Sequence, residues 1–285
     1  MQKTHNVSKR NWAAKLMAIV VVVSMVASTL VLFAPEASAR TGSDSYGYTF
    51  KDNSEPDGPV YADEWIELVG NEAAELLISS STDAGQSAVD IGFTFEFYEN
   101  EYTTWGNGGD NGYINLGSAG VSSRWTPYQI PSNLLGNAAV VGGWFDGGFC
   151  RASNPTAGVY YATIGTEPNR KLVVQYQDQG AWYPSVYQCP GTAAANALTW
   201  QIVLHEGTNL ITMNYKDTNG GYSSDNEFMT AGIQGNPGGT LTGLQYAYRN
   251  NPTWSDEKSV IYAPPPPARN DLRLKSTSVP DPMSL

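Results

Sequence analysis

Val89-Asp90-Ile91-Gly92-Phe93-Thr94-Phe95-Glu96-Phe97 is the stretch that decides the fold of this chain. Successive side chains of a strand point to opposite sides, so Ile91, Phe93, Phe95 and Phe97 share one face. A face this aromatic must be covered by a second layer. Upstream, residues 46–49 and the run through Trp65, Ile66 and Leu68 read as opening strands. They lie on either side of the turn-forming cluster Ser54-Glu55-Pro56-Asp57-Gly58-Pro59. Downstream, residues 107–112 are rich in Gly and Asn, suited to positive φ, and lead as a turn into Tyr113-Ile114-Asn115-Leu116. Further strands are expected over 138–145, 158–164, 171–176, 198–205 and 209–215. Glu206-Gly207-Thr208 and Glu167-Pro168-Asn169-Arg170 sit at hairpin distance between neighbours. Residues 71–77 hold good helix formers over barely two turns and predict a short surface helix. The fold class expected is all-β: an antiparallel, jelly-roll-like β-sandwich over 40–262, preceded by one hydrophobic signal helix.

The N-terminus fixes an address. Lys3, Lys9, Arg10 and Lys15 precede an apolar stretch over 16–33, and Ala37-Ser38-Ala39 is a signal-peptidase pattern, so residues 1–39 read as a signal peptide cleaved before Arg40. An apolar run of roughly 18 residues is also long enough to span a bilayer uncleaved, which keeps a membrane anchor as the alternative. Secretion or display on a cell surface is expected, with membrane contact only through that leader. At the other end, Ala263-Pro264-Pro265-Pro266-Pro267-Ala268 forms a stiff linker, about 12 Å across its four prolines. The alternating tail 269–285 is too short to fold alone.

The leader holds four of the 16 Lys+Arg and one of the 27 Asp+Glu, so the mature chain carries 12 minus 26, a net charge of −14. Phosphate binding rests on clustered Lys and Arg, so this balance argues against nucleic acid and anionic headgroups. No nucleotide cofactor is implied. The acidity serves solubility, or helps attract divalent cations. The two cysteines, Cys150 and Cys189, read as a disulfide in an exported chain, with two free thiols as the alternative. The chain-entropy account gives such a crosslink about 4 kcal/mol. The mature chain has no N-glycosylation sequon.

Ser45-Tyr46-Gly47-Tyr48-Thr49-Phe50-Lys51-Asp52, Ile91-Gly92-Phe93-Thr94-Phe95-Glu96-Phe97-Tyr98, Asn111-Gly112-Tyr113-Ile114, Gly143-Trp144-Phe145-Asp146 and Glu206-Gly207-Thr208-Asn209 resemble a family of modules common in large secreted and surface proteins of bacteria and archaea. More distantly, they resemble the extracellular adhesive domain of nidogen. The resemblance implies a prokaryotic cell-surface β-sandwich without known catalysis. Residues 270–282 resemble the first strand of the adhesion-type, immunoglobulin-like modules that follow in such proteins, which implies a longer modular chain. Where the pattern offers a second carboxylate after Trp-Asp, this chain has Gly147-Gly148, a departure that bears on any cation site at Asp146.

Catalytic signals are few. His205 is the only histidine of the mature chain, which excludes multi-histidine zinc patterns. It is expected on the strand face opposite Trp200, Ile202 and Leu204, partly exposed. Asp63 and Glu64 point to opposite strand faces, as do Glu64 and Glu67, so neither makes the same-face pair a glycosidase would need; Glu206 is in a turn, and no Gly-x-Ser-x-Gly elbow is present. Aromatic residues are the better clue, because sugar rings stack on flat π faces. Trp105, Trp125, Trp182, Tyr183 and Tyr187 fall in predicted loops, the last three inside the Cys150–Cys189 segment, and are the candidate ligand contacts for a glycan or a cell-surface protein. Each could instead fold back over a sheet edge. Asp110 with Asn107 and Asn111, Asp146, and Asp225 with Asp217, Asn219, Asn226 and Glu227 offer oxygen ligands to calcium, although turn formation is the simpler role. No other cofactor is expected. The functional expectation is a non-catalytic module for adhesion, or for glycan or protein binding. The alternatives are a carbohydrate-active enzyme on the same scaffold and a purely structural spacer.

Overall fold

The computed structural model describes residues 40–152, 154–181, 197–218, 229–249, 251 and 254–266, all within the compact unit that begins at Arg40. In chain order the elements are β1 (Thr41–Ser43), β2 (Thr49–Asp52), a single helical turn α1 (Tyr61–Glu64), β3 (Glu75–Ile78), β4 (Val89–Phe97), β5 (Asn100–Asn107), β6 (Tyr113–Leu116), β7 (Ala139–Trp144), β8 (Gly147–Phe149), β9 (Gly158–Ile164), β10 (Lys171–Ala181), β11 (Leu198–His205), β12 (Ile211–Asp217), β13 (Thr230–Gly235), β14 (Thr242–Tyr248) and β15 (Lys258–Ala263). Nine strands form one sheet in the order β1-β2-β15-β12-β11-β10-β9-β3, with β8 also paired to β10, and six form the other in the order β14-β13-β7-β6-β5-β4. The paired strands run antiparallel. This is the expected all-β sandwich. Its connections are two meanders, β4 to β7 and β9 to β12, rather than the strand alternation between sheets of a jelly roll.

The core between the sheets follows from period-2 patterning. Ile91, Phe93, Phe95 and Phe97 of β4 face inward with Trp105, Ile114 and Val140, and meet Leu172, Val174 and Tyr176 of β10 and Trp200, Ile202 and Leu204 of β11. The register Tyr176↔Trp200 places these two rings on the same side, where they stack at 4.0 Å and 11°. The Trp200 indole lies so close to β7 that a Cβ on Gly142 would sit 2.1 Å from its Cζ3, so that position is closed to any side chain. Trp200 Nε1 donates to Gln179 Oε1 at 2.7 Å, which satisfies the one polar atom of the buried ring.

The outer face of the larger sheet carries a row of polar residues in strict register. Gln175 on β10 pairs with Gln201 on β11, Gln201 with Asn214 on β12, and Asn214 with Ser259 on β15. All four are buried because residues 64–69 lie across them as a strap. Asn214 Nδ2 donates to the Glu64 carbonyl (3.0 Å), Ile66 N–H donates to Gln201 Oε1 (3.2 Å), and Leu68 N–H donates to Gln175 Oε1 (3.0 Å). Gln201 Nε2 also donates to the Ile66 carbonyl and, at 2.8 Å, to Gln175 Oε1. Leu68 packs beside the row against Ala162, Val173 and Val203. The strap's backbone groups are thus satisfied by side-chain amides instead of by a neighbouring strand.

Several expectations need correction. The helix expected over 71–77 does not form. Glu75–Ile78 is strand β3, paired with β9 and held by Tyr161 Oη donating to Glu75 Oε2 at 2.7 Å, so tertiary pairing overrides helix propensity. Trp65, Ile66 and Leu68 lie in the strap, not in a strand. Trp105 is not a loop residue: it is fully buried on β5 and belongs to the core, which removes it from the ligand candidates. The leader 1–39, Trp182, Tyr183, Tyr187, Cys189, Asp225 and the tail 269–285 lie outside the described residues. Among the described residues, no helix is long and apolar enough to cross a membrane.

Candidate functional site

Two concave places stand out. The first is a groove of about 300 Å³ lined by Tyr46, Tyr48, Glu96, Tyr98, Glu99, Gly207, Thr208, Asn209, Pro264 and Pro265. Its floor begins at the turn between β1 and β2. Asp44 Oδ1 accepts the backbone N–H groups of Tyr46, Gly47 and Tyr48 at 3.1, 2.8 and 2.9 Å, so one carboxylate oxygen fixes the whole turn. Asp44 Oδ2 accepts the Tyr98 hydroxyl at 2.5 Å. Tyr98 and Glu99 form the two-residue turn of the β4–β5 hairpin, closed at Phe97↔Asn100, with φ of 45° and 71°. Such a turn favours Asn-Gly, because both central residues have positive φ. Tyr98 holds this costly conformation because its buried ring packs against Tyr46, Tyr48 and Phe97 at centroid distances of 5.2, 4.5 and 4.7 Å.

Tyr48 and Tyr98 are buried and form the floor, Tyr46 is a half-buried wall, and Glu96, Glu99 and Thr208 open to solvent. Desolvation comes first in raising the hydroxyl pKa of Tyr46, Tyr48 and Tyr98, and for Tyr98 the hydrogen bond to Asp44 adds to it. All three stay protonated donors at neutral pH. From the other sheet, Asn209 Oδ1 accepts the Glu96 N–H at 3.0 Å and holds the β11–β12 turn against β4. The first two prolines of the expected linker, Pro264 and Pro265, line this groove directly after β15.

The second place is a cavity of about 200 Å³ lined by Ser81, Thr82, Asp83, Asp110, Asp146 and Gly147. Three segments meet here: the loop before β4, the turn between β5 and β6, and the corner between β7 and β8. Thr82 N–H donates to Asp110 Oδ2 at 2.8 Å and Asp110 N–H donates to the Thr82 carbonyl at 3.0 Å, which laces the first segment to the second. Asn111 Nδ2 donates to Asp83 Oδ1 at 2.9 Å. A Cβ at Gly147 would lie 2.3 Å from the Asp110 carbonyl oxygen, so the missing side chain at 147 is what lets the third segment close on the second. The departure noted in the sequence therefore brings Asp146 toward Asp110. Burial, with repulsion from Asp83 and Asp146, pushes the Asp110 carboxyl up to about 7, and burial together with Asp83 pushes Asp146 up to about 6.

The remaining sequence candidates are scattered. Trp125 is 45% exposed, in the loop between β6 and β7, with Tyr128 exposed nearby in sequence. His205 is half-buried on the outer sheet face as expected, its Nε2 2.8 Å from Thr212 Oγ1, and desolvation lowers its pKa to about 4. Glu67 is ion-paired with Lys216 at 2.8 Å. Cys150 is half-buried directly after β8. Of the expected calcium ligands the fold joins Asp110 and Asp146, and it adds Asp83, which sequence reading missed. It also missed the groove. Tyr46 and Tyr48 read as strand residues and Tyr98 as the last residue of a segment carrying the family resemblance, and the one available signal was the Asp44-x-Tyr46-x-Tyr48 spacing, which forms the β1–β2 turn.

The fold is a β-sandwich whose two hollows are built largely from its loops and turns. Residues 60–271 match the family model described as NIDO related, and the chain belongs to that family. No curated protein and no solved structure matches it.

Proposed function

We propose that this chain is a non-catalytic, extracellular binding module of a prokaryotic surface protein, and that it holds glycans in the groove lined by Tyr46, Tyr48 and Tyr98. The groove carries the reading. It joins the half-buried Tyr46 ring, the aromatic side chain of the groove left open for stacking, to Glu96, Glu99, Thr208 and Asn209, which offer acceptors and donors to hydroxyl groups. The Asp44 and Tyr98 bonds hold it fixed, which lowers the entropy cost of binding. The signal-like leader and NIDO-related membership support the extracellular placement, and from that placement a Cys150–Cys189 crosslink is expected. The leader left uncleaved would anchor the module to a membrane, and the tail resembling an immunoglobulin-like first strand fits a longer modular protein.

One observation favours a second reading, a carbohydrate-active enzyme, because Glu96 and Glu99 line the same groove. Both are exposed, whereas a general acid of this class needs burial to keep its proton at neutral pH. Glycan-array screening of the mature chain, wild type against Tyr46→Ala and Trp125→Ala, tests the proposal. Selective binding lost in Tyr46→Ala alone is expected. Hydrolysis of chromogenic glycosides abolished by Glu99→Gln would replace it with the enzymatic reading, and the absence of any glycan binding would leave the structural-spacer role.

A further inference from the structure

We infer that the cavity bounded by Asp83, Asp110 and Asp146 is a calcium site, independent of the tyrosine groove. The Asp110 side chain is 2% exposed, yet its Oδ1 has no hydrogen-bond partner. Leaving a buried carboxylate oxygen unsatisfied is costly, and such an atom marks the position of a missing partner. The surroundings supply no cationic one. The cavity lining contains hydroxyls, carboxylates and a glycine, with neither Lys nor Arg. The neighbouring charges, Asp83 and Asp146, are of like sign and make an empty site worse.

A hard divalent cation resolves all of this at once. Calcium takes six to eight oxygens from carboxylates, hydroxyls, carbonyls and water in irregular geometry at roughly 2.3–2.6 Å. Among the described residues no three His, Cys, Asp or Glu side chains alone could hold an ion. The arrangement therefore assigns the unpaired Asp110 Oδ1 and the Asp146 carboxylate as the charged ligands, with Ser81 and Thr82 oxygens and water completing the shell. Asp83, held by Asn111 at 2.9 Å, contributes field or a water-bridged contact. A hollow of about 200 Å³ with so few rigid carboxylates suits calcium over magnesium, which demands a compact octahedron. The ion would clasp the loop before β4, the β5–β6 turn and the β7–β8 corner.

The test is isothermal titration of the metal-stripped mature chain with calcium chloride, paired with thermal unfolding in calcium against EDTA. Calorimetry is expected to show one site with a Kd on the order of 10⁻⁴–10⁻³ M, the range of extracellular modules. At tenfold excess over Kd the melting temperature should rise by about 3–6 °C. Asp110→Asn and, separately, the less buried Asp146→Asn should each weaken calcium at least tenfold, the second serving if the first does not fold. No heat and no calcium-dependent melting shift in the folded wild type would overturn the inference, as would undiminished binding in both variants. An equal shift with magnesium would overturn the assignment of the ion.

Discussion

Truncating Gln201 should release the strap from the outer face of the larger sheet. Its side chain makes three hydrogen bonds: it accepts from Ile66 N–H and donates to the Ile66 carbonyl and to Gln175 Oε1. At about 1 kcal/mol net for each neutral bond, Gln201→Ala should cost about 3 kcal/mol, somewhat more if the Ile66 groups stay dry and unpaired. Gln201→Met keeps most of the volume but none of the polarity, so it should lose nearly as much. Equilibrium urea unfolding of the mature chain measures both, with an unchanged slope confirming that only stability moved. Hydrogen exchange at the Ile66 and Leu68 amides should accelerate in parallel, because both donate to the Gln row. A loss below about 1 kcal/mol for both variants, or a fully stable Gln201→Met, would refute the reasoning and show that burial alone holds the strap.

Three further outcomes follow from the same structure. Gly142→Ala drives a methyl into the Trp200 indole and should cost about 1–3 kcal/mol, read as a lower melting temperature. The lowered pKa of His205 means the folded state holds it neutral, so its contribution is complete above the unfolded value of 6.5 and is lost as pH falls through about 4. Unfolding free energy should drop by up to about 3 kcal/mol across that window, and His205→Gln, which keeps a bond to Thr212, should flatten the drop. Intact mass under non-reducing conditions should show the Cys150–Cys189 crosslink, with Cys150→Ser destabilising by up to about 4 kcal/mol. Two free thiols by alkylation would contradict it.

Strands β9 and β11 are legible to the residue, because apolar alternation is bounded by Gly, Pro and His or Glu turns. Strand β5 is not: Glu101, Thr103 and Thr104 make its first half look like a loop, and its buried half is Trp105-Gly106-Asn107, where one large side chain carries all the apolar signal. Strand β13, Thr230-Ala231-Gly232-Ile233-Gln234-Gly235, is wholly buried, so no polar face marks its period. Residues 75–78 show the opposite failure, a helix-favouring composition captured by pairing with β9. Composition and turn chemistry made Asp110 and Asp146 visible as oxygen ligands. Asp83 stayed hidden because it reaches them only through the closure of three loops. The groove stayed hidden because a Tyr-Glu pair does not announce the positive-φ turn that presents it.

The proposed function turns on where a glycan binds. Chemical-shift mapping of the isotope-labelled mature chain, titrated with a sugar ligand from the array, locates it residue by residue. Perturbations should centre on Tyr46, Tyr98, Glu99 and Thr208, leaving Trp125 and the Asp110 cavity unmoved. Shifts confined to residues 182–187, or to Trp125 and Tyr128, with the groove silent, would contradict the proposed site.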